Sequence, residues 1–198
     1  MDSTITTDDV RKRAEVSKLA SRSIERAIAV ARTIKHPWYR CQSLTNAAEA
    51  HPERVAAIRL VEEAFEAAEE QSEINRIVTV AAWPLRAAVK LAPELAQRKL
   101  SQLIALAATE PHGLRRADAL SAVLYAVSES PQLKAQALPL LVDTVTSAYG
   151  WRIERLIAGI AVLVQHDHPE YLSRLLGAHS ENSRKRKLLE ALNEAKAA

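Results

Sequence analysis

The sequence predicts an all-α fold, a right-handed α-α superhelix (solenoid) of about five antiparallel helix pairs. Hydrophobic residues make up 48% of the 198 residues and aromatic residues only 4%, a composition that favours helix over sheet. No run alternates polar and β-branched residues for long enough to form a strand. An arginine also recurs at intervals of 36, 40, 36 and 32 residues, at Arg40, Arg76, Arg116, Arg152 and Arg184.

The apolar positions around each arginine define the helix pairs. Four and eight residues after Arg116, for example, come Leu120 and Leu124, as expected for the buried stripe of one helix. Another apolar residue lies twelve positions before each arginine and belongs to the preceding helix of the pair. These upstream residues are Ile28, Ala64, Ile104, Leu140 and Leu172. A period in the thirties with two apolar helical stripes is typical of stacked helical repeats.

The first elements follow from capping and turn residues. Asp8 and Asp9 are N-cap candidates for a helical stretch that continues to about residue 34, either unbroken or interrupted near residue 21. Residues 8–20 then form a helical extension before the first pair. Pro37 begins the next helix, because proline is tolerated in the first turn, and that helix ends near residue 50.

Proline, glycine and His-Pro pairs divide the middle of the chain into helices. A helix with the stripe Val55, Ile58 and Phe65 follows the turn at residues 51–52, and the next helix begins near residue 73. Pro84 lies inside that second helix, so we expect a kink or a break there. Pro93 opens the following helix, and a turn at residues 111–113 precedes another.

The last third continues the same pattern. Pro131 starts a helix that carries Pro139 as a second expected kink, and Gly150 separates it from the strongest apolar stripe, residues 153–164. Pro169 opens a short helix that ends near residue 178. The final helix, residues 183–196, is polar, as expected of a cap on the open end of a stack. We therefore predict that residues 1–198 form a single α-solenoid domain.

This pattern resembles the HEAT repeat of the armadillo-type α-solenoids, from about residue 21 to residue 192. In that family an arginine near the start of each second helix precedes an apolar ladder, and an aspartate in the turn links successive repeats. The turns here read KHPWYR, SEINR, PHGLRR and AYGWR, without that aspartate. Armadillo-like and tetratricopeptide-like stacking are alternatives, the latter weaker because its period of about 34 residues does not recur.

The repeated arginines are the leading candidates for a binding site. If the second helices line a concave groove, Arg40, Arg76, Arg116 and Arg152 form a basic stripe, with Arg155 beside it. Guanidinium groups suit carboxylates and phosphates. The structural alternative, which we favour, is that these arginines bind helix C-terminal carbonyls or acids of the adjacent pair.

Two tryptophans lie beside these arginines. Trp38 and Trp151 come two residues and one residue before Arg40 and Arg152. An aromatic ring next to an arginine can anchor a peptide or stack on a base, and it can equally fill the seam between repeats. The two interpretations are evenly balanced for Trp38 and Trp151, whereas we expect Trp83 to fill a seam.

No motif in the sequence indicates catalysis or metal binding. A glycine-rich phosphate loop, a nucleophile elbow and an HExxH motif are all absent. His166 and His168, two residues apart in a turn, make a poor tetrahedral ligand set. Cys41, the one cysteine, cannot form an intramolecular disulfide, and we expect a buried, unreactive thiol in a reducing compartment. We expect neither a metal nor a cofactor.

The charge distribution and the hydropathy of the sequence indicate where in the cell the protein is located. The net charge of +3 is unevenly distributed, with a basic stretch at residues 11–40 and an acidic stretch at residues 49–73. Such stretches either steer a charged partner or remain solvated. The longest uncharged apolar run, residues 157–164, is too short for a membrane span, and the N-terminus does not read as a secretory signal. We therefore expect a cytoplasmic protein that does not contact membranes.

These observations favour a non-enzymatic protein- or peptide-binding module whose second helices line a groove for a partner, acidic partners included. The argument from fold to function is an analogy. A nucleic-acid-binding HEAT-like protein that uses the arginine row is the less favoured alternative. Asp118 is the one acid well placed for repair-glycosylase chemistry, and no tryptophan lies near it in sequence. An enzyme resembling the HEAT-like bilin lyases is a third hypothesis without specific residues.

Overall fold

The computed structural model describes residues 4–197, and the side chains of residues 4–194. Within this range the backbone forms eleven α-helices and one 3-10 turn without any strand, so the predicted all-α class is confirmed. The helices are α1 (Thr7–Leu19), α2 (Ile24–Arg32), α3 (Pro37–Ala50), α4 (Arg54–Glu69), α5 (Ile74–Leu91), α6 (Pro93–Ala108), α7 (Gly113–Ala126), α8 (Pro131–Thr146), α9 (Trp151–Val164), α10 (Leu172–Ala178) and α11 (Ser183–Ala197). The 3-10 turn, Pro169–Tyr171, leads directly into α10.

Local sequence signals account for several helix starts. Pro37, Pro93 and Pro131 are the first residues of α3, α6 and α8, where the missing backbone N–H of proline costs nothing. The hydroxyl of Ser130 caps α8 by accepting a hydrogen bond from a backbone N–H three residues later. Before α9, Gly150 has a φ of 120°, which glycine adopts without a Cβ penalty. The predicted boundaries therefore agree with the structure to within a few residues.

Two helices continue through an internal proline. Pro84 lies inside α5 and Pro139 inside α8, so the break that we considered at Pro84 does not occur. Proline removes one backbone hydrogen bond and crowds the preceding turn. Pro84 is buried, and α5 packs against α3, α4, α6 and α7. The packing of α5 on four neighbours therefore outweighs the local penalty.

The helices alternate between two layers. The odd layer consists of α1, α3, α5, α7, α9 and α11, each packed against the next, and the even layer consists of α2, α4, α6, α8 and α10. Within the even layer, α6 packs against α8 and α8 against α10. The ten helices after α1 are grouped below, in chain order, as the pairs α2–α3 to α10–α11, and close contacts join the two helices of the first four.

The hydrophobic core lies between the layers and extends from α1 to α11. Its largest fully buried side chains include Phe65, Leu85, Leu120, Leu138 and Ile157, which lie in the three central pairs. Burial of one such side chain stabilises the fold by about 1.5–3 kcal/mol. Many of the remaining core residues are alanines, whose small side chains let neighbouring helices approach closely. The pairs are therefore held together by one continuous apolar seam.

Candidate functional site

Arg40 links the first helix pair to the second. It is the fourth residue of α3, and its Nη1 donates hydrogen bonds to the carbonyl oxygens of Ile34 and Lys35 at 3.2 and 3.4 Å. Its Nη2 forms an ion pair with Glu70, at the end of α4. The guanidinium therefore binds both the turn after α2 and an acid of the adjacent pair. The ion pair with Glu70 is a contact of the kind that the structural interpretation describes.

Arg116 makes equivalent contacts two pairs further along. It is the fourth residue of α7, and its Nη1 donates to the carbonyl oxygen of Glu110 at 3.3 Å. Its Nε donates to Oγ1 of Thr144, in α8, at 3.2 Å. As with Arg40, the carbonyl belongs to the residue six positions earlier, and the second acceptor belongs to the next pair. Arg40 and Arg116 are thus equivalent connectors between pairs.

Arg76 and Arg152 do not share this register. Arg76 is the third residue of α5 and Arg152 the second of α9, and the equivalent fourth positions hold Ile77 and Glu154. Nε of Arg76 lies 3.6 Å from a carboxylate oxygen of Glu73, and Arg152 is exposed. The single register that the spacing indicated is therefore absent, although the turns before these helices are equally long.

The tryptophans beside the arginines differ in exposure. Trp38 is half-buried and packs against the core, as does Trp83. Trp151 opens α9 with 55% of its surface exposed, and the guanidinium carbons of Arg152 and Arg155 lie 5.3 and 5.9 Å from its ring centroid. Contacts at these distances are cation–π interactions. Trp151, Arg152 and Arg155 are therefore brought together at the surface, while Trp38 is a packing residue.

A cleft of about 560 Å³ lies between α9 and α11, at the C-terminal end of the odd layer. Clefts that hold ligands typically measure about 300–1,000 Å³. The apolar part of the lining consists of Trp151, Ala158, Val162, Leu188 and Ala191. Val162 is 46% exposed although it belongs to the most apolar helix of the chain. The cleft therefore leaves apolar surface uncovered.

Glu154 is the acidic residue at the edge of this cleft. A hydrogen bond from Ser180 is the largest influence that lowers the pKa of its carboxyl group, which therefore stays ionised. The amide of Asn182 donates to it at 3.4 Å, and Nη1 of Arg184 lies 3.5 Å from it. Glu154 thus joins α9 to the beginning of α11.

The basic residues of the cleft outnumber its acids. Arg155, Arg184 and Lys187 line it together with the single carboxylate of Glu154. Arg184 contacts that carboxylate, whereas no salt bridge among the described residues involves Arg152, Arg155 or Lys187. The mouth of the cleft is therefore positively charged.

Two other clefts lie in the even layer and differ from the α9–α11 cleft in their balance of charge. One of about 440 Å³ is bridged by Lys99 and Glu69 at 2.9 Å. The other, of about 330 Å³, is bridged by Arg32 and Glu63 at 2.7 Å. Both clefts therefore contain an ion pair, and in the second the further charges of Glu25 and Arg59 are opposite in sign, so neither cleft has the excess of basic residues seen between α9 and α11.

The acidic stretch at residues 49–73 is largely neutralised in the fold. Besides Glu63, Glu69 and Glu70, its ion pairs include Glu49 with Arg86, at 3.0 Å. This stretch therefore does not form the separate acidic patch that its sequence suggests, because basic residues from other helices fold against it.

Tyr125 extends the exposed odd-layer face from α7 to the cleft. Its side chain is 52% exposed and lies against α9 at Gly159, which also lines the cleft. A Cβ atom at Gly159 would be 2.5 Å from the Tyr125 hydroxyl oxygen, so a larger residue there requires that hydroxyl to move. The surface around the cleft thus includes residues of α7, α9 and α11.

Sequence reasoning identified Trp151, Arg152 and Arg155 but missed Val162 and Lys187. The apolar run at residues 157–164 held the relevant signal, because it is apolar on more than one helix face. A helix of that kind either is surrounded by other helices or leaves one apolar face uncovered. In this protein the second case applies, since Val162 is exposed.

The described residues hold no evident reactive centre. Cys41 is buried, its thiol donates to the carbonyl oxygen of Val80 at 3.5 Å, and burial raises the pKa of that thiol. Three or more His, Cys, Asp or Glu side chains placed to hold a metal ion do not occur in the part of the chain that the structure describes. Over the same residues, every helix is too short or too polar to cross a bilayer.

Comparison with known proteins returned no match: no family model fits the chain, and no curated protein or solved structure is significantly similar to it.

Proposed function

We propose that the protein is a non-enzymatic interaction module that binds a protein or peptide on the exposed face of the odd layer. The observation that carries this proposal is the α9–α11 cleft, where apolar surface beside Trp151 stays uncovered and Arg155 and Lys187 have no acidic partner among the described residues. A bound partner would cover the apolar surface and supply the missing acids. The site is thus suited to an acidic partner.

The proposal also covers the type of fold and the cellular location of the protein. We take the fold to be a right-handed α-solenoid of HEAT-like type, because helix pairs follow one another and each packs mainly on its neighbours. We also propose that the protein works in the cytoplasm, because a reduced, buried Cys41 suits a reducing compartment. Recovery of the protein from a membrane or secreted fraction would contradict this location.

Nucleic-acid binding is the second candidate function. It is supported by Arg152 and Arg155 on the exposed ring of Trp151, since arginines beside an aromatic ring can hold a single strand. The apolar lining of the cleft speaks for a protein partner instead. A salt titration with a labelled oligonucleotide separates the two, because phosphate contacts make affinity fall steeply with salt.

Photo-crosslinking in the source cell tests the proposed function. Benzoylphenylalanine at position 125, in place of Tyr125, puts the probe on the odd-layer face, and the same probe in place of Arg98 on α6 puts it on an exposed even-layer position. We expect one or a few discrete protein adducts from position 125 that are absent from position 98 and insensitive to nuclease.

Each possible result of the crosslinking experiment supports a different conclusion about the function. Nuclease-sensitive adducts would replace the protein-binding proposal with nucleic-acid binding. Equal adduct patterns from both positions would show that the odd-layer face has no special role. The absence of adducts from position 125, at full expression of the folded protein, would reject the proposal.

A further inference from the structure

We infer that the α9–α11 cleft binds an amphipathic helix of a partner protein, whose apolar residues enter the cleft and whose Asp or Glu residues lie beside Arg155 and Lys187. This inference rests on the proposed function and specifies the partner's chemistry. It depends on the shape of the apolar lining, on the balance of charge at the rim, and on the poor fit of other occupants.

The apolar lining has the length and shape of a helix-binding groove. Along α9 it extends from Trp151 to Val162, a distance of about 16 Å at 1.5 Å per residue, or about three helical turns. Between these two large side chains lie Ala158 and Gly159, which leave the middle of the groove open. Leu188, only 5% exposed, lies on the opposite side, on α11. Grooves of this kind hold the i, i+3/i+4 and i+7 side chains of a bound helix.

The charge at the rim selects an acidic helix. Arg152, Arg155 and Lys187 lack acidic partners among the described residues, while Glu154 is already bound to Asn182 and Arg184. The rim therefore keeps an excess of positive charge after internal pairing. Acidic residues flanking the apolar anchors would be complementary, and a basic helix would be repelled.

Other occupants fit less well. A nucleic acid would bring phosphates against an apolar lining, and two guanidinium groups already stack on the ring of Trp151. A second copy of this chain would have to offer α4 as its acidic helix. In α4, however, Glu63 and Glu69 are paired internally, and apolar residues such as Phe65 are buried. A bilayer surface would meet the exposed basic residues, but it has no counterpart to an apolar lining that lies between two helices, and the vesicles in the test below distinguish it from a helix.

Fluorescence anisotropy with the full chain tests the inference. The probe is a fluorescein-labelled peptide of about 15 residues, roughly 22 Å long as a helix, with leucines at i, i+3, i+7 and i+10 and glutamates on both flanks. One control peptide has lysine in place of every glutamate, and the other has serine in place of every leucine. We expect only the glutamate–leucine peptide to bind, with an affinity that falls as salt is added.

Three variants, each checked for folding by circular dichroism, assign the binding to the cleft. Arg155→Glu combined with Lys187→Glu should weaken peptide binding at least tenfold, equivalent to about 1.4 kcal/mol. Val162→Asn, at an exposed apolar position, should weaken it several-fold. Arg98→Glu, an equally exposed charge reversal in the even layer, should leave binding unchanged.

Several results would overturn the inference. These are equal binding of the lysine or serine peptide, full binding by the double charge-reversal variant, and dimerisation that the double variant abolishes. Preferential binding of a single-stranded oligonucleotide or of phosphatidylglycerol vesicles would have the same effect. If position 125 crosslinks a protein partner but the acidic peptide does not bind, the proposed function stands and this inference fails. If neither occurs, both fail.

Discussion

At the residue scale, Asp9 is a buried carboxylate that joins the N-terminal helix to the rest of the stack. It is 2% exposed, forms a capping box with Thr6, and accepts hydrogen bonds from the backbone N–H groups of Lys35 and His36 at 2.9 and 3.2 Å. Desolvation opposes its ionisation, but the hydrogen bonds from Thr6 and from the two backbone groups lower the pKa of Asp9 to about 2. Asp9 therefore holds α1 against the turn before α3.

Because its pKa is lowered, Asp9 contributes to the free energy of unfolding in a way that depends on pH. Its stabilisation is fully present above the unfolded pKa near 3.8 and is lost as the pH falls through about 2. We expect Asp9→Asn to lower the free energy of unfolding by about 1–2 kcal/mol at pH 7 and to have little effect near pH 2. Urea denaturation at both pH values measures this difference. The control is Asp8→Asn at an exposed site, and a loss as large as that of Asp9→Asn would contradict the role of Asp9.

At the element scale, the fourth residue of three odd-layer helices joins one pair to the next. Arg40 binds Glu70, Arg116 binds Thr144, and Glu154 binds the start of α11. The fourth residue of the helix therefore has the same connecting role in α3, α7 and α9, although it is basic in the first two and acidic in the third. For the two arginines, the acceptors are a carbonyl of the turn before the helix and a side chain of the next pair.

A matched pair of arginine variants tests this role. Arg116→Ala should lower the free energy of unfolding by about 1–2 kcal/mol, because the carbonyl of Glu110 and the hydroxyl of Thr144 lose their donor. Arg152→Ala, at an exposed position, should change it by less than about 0.5 kcal/mol. Chemical denaturation of both variants measures the difference. A larger loss of unfolding free energy for Arg152→Ala than for Arg116→Ala would show that Arg152 stabilises the fold and that Arg116 does not.

The contact between α7 and α9 provides a second prediction at this scale. Replacing a helical glycine by alanine stabilises a helix by roughly 0.5–1 kcal/mol, but at Gly159 the new Cβ would lie 2.5 Å from the Tyr125 hydroxyl. We therefore expect Gly159→Ala to be neutral or destabilising in the native background and stabilising with Tyr125→Phe, which removes that hydroxyl.

Gly177 supplies the control for this double-mutant cycle. Nothing lies within 4 Å of a Cβ placed there, so Gly177→Ala should have the same effect in both backgrounds. Thermal unfolding of the single and double variants measures the coupling. An equal effect of Gly159→Ala with and without the hydroxyl would show that Tyr125 moves aside freely.

At the scale of the whole molecule, packing becomes looser toward the C-terminal end. Helix α5 packs closely against α3, α4, α6 and α7, whereas α9 has few close contacts with α7, α8, α10 and α11. The α9–α11 cleft lies in this looser part. Since local opening costs less where fewer buried contacts are lost, the region around the cleft is the one most easily adjusted to a partner.

Hydrogen exchange tests whether the packing becomes looser from α5 to α9. We expect backbone amides of α9 to exchange at least about tenfold faster than those of α5, a difference of about 1.4 kcal/mol in opening free energy. The glutamate–leucine peptide should slow exchange in α9 and α11 and leave α5 unchanged. Uniform protection across α5 and α9 would show that the stack opens as one cooperative unit and would contradict the gradient.

Much of the fold could be predicted from the sequence, and only part of the candidate site. Leu120 and Leu124 were expected in the core from their spacing, and both are fully buried. Trp151 and Arg155 were identified because an aromatic residue and a basic residue adjoin a helix start. The exposure of Val162 was missed, because an apolar residue in an apolar run is expected to be covered.

By itself, the sequence determined the all-α class, the helix boundaries to within a few residues and most of the buried stripes, since these depend on local periodicity and on proline, glycine and capping residues. Val55 was assigned to such a stripe wrongly, because it is 57% exposed. Only the tertiary structure decided which arginines are bound within the protein. Arg40 is bound by Glu70 and Arg116 by Thr144, residues of other helices, while Arg155 has no acidic partner among the described residues. The physical reason is that the acceptors lie in other segments of the chain, and the spacing of the arginines does not encode which side chains the packing of the helices brings beside them.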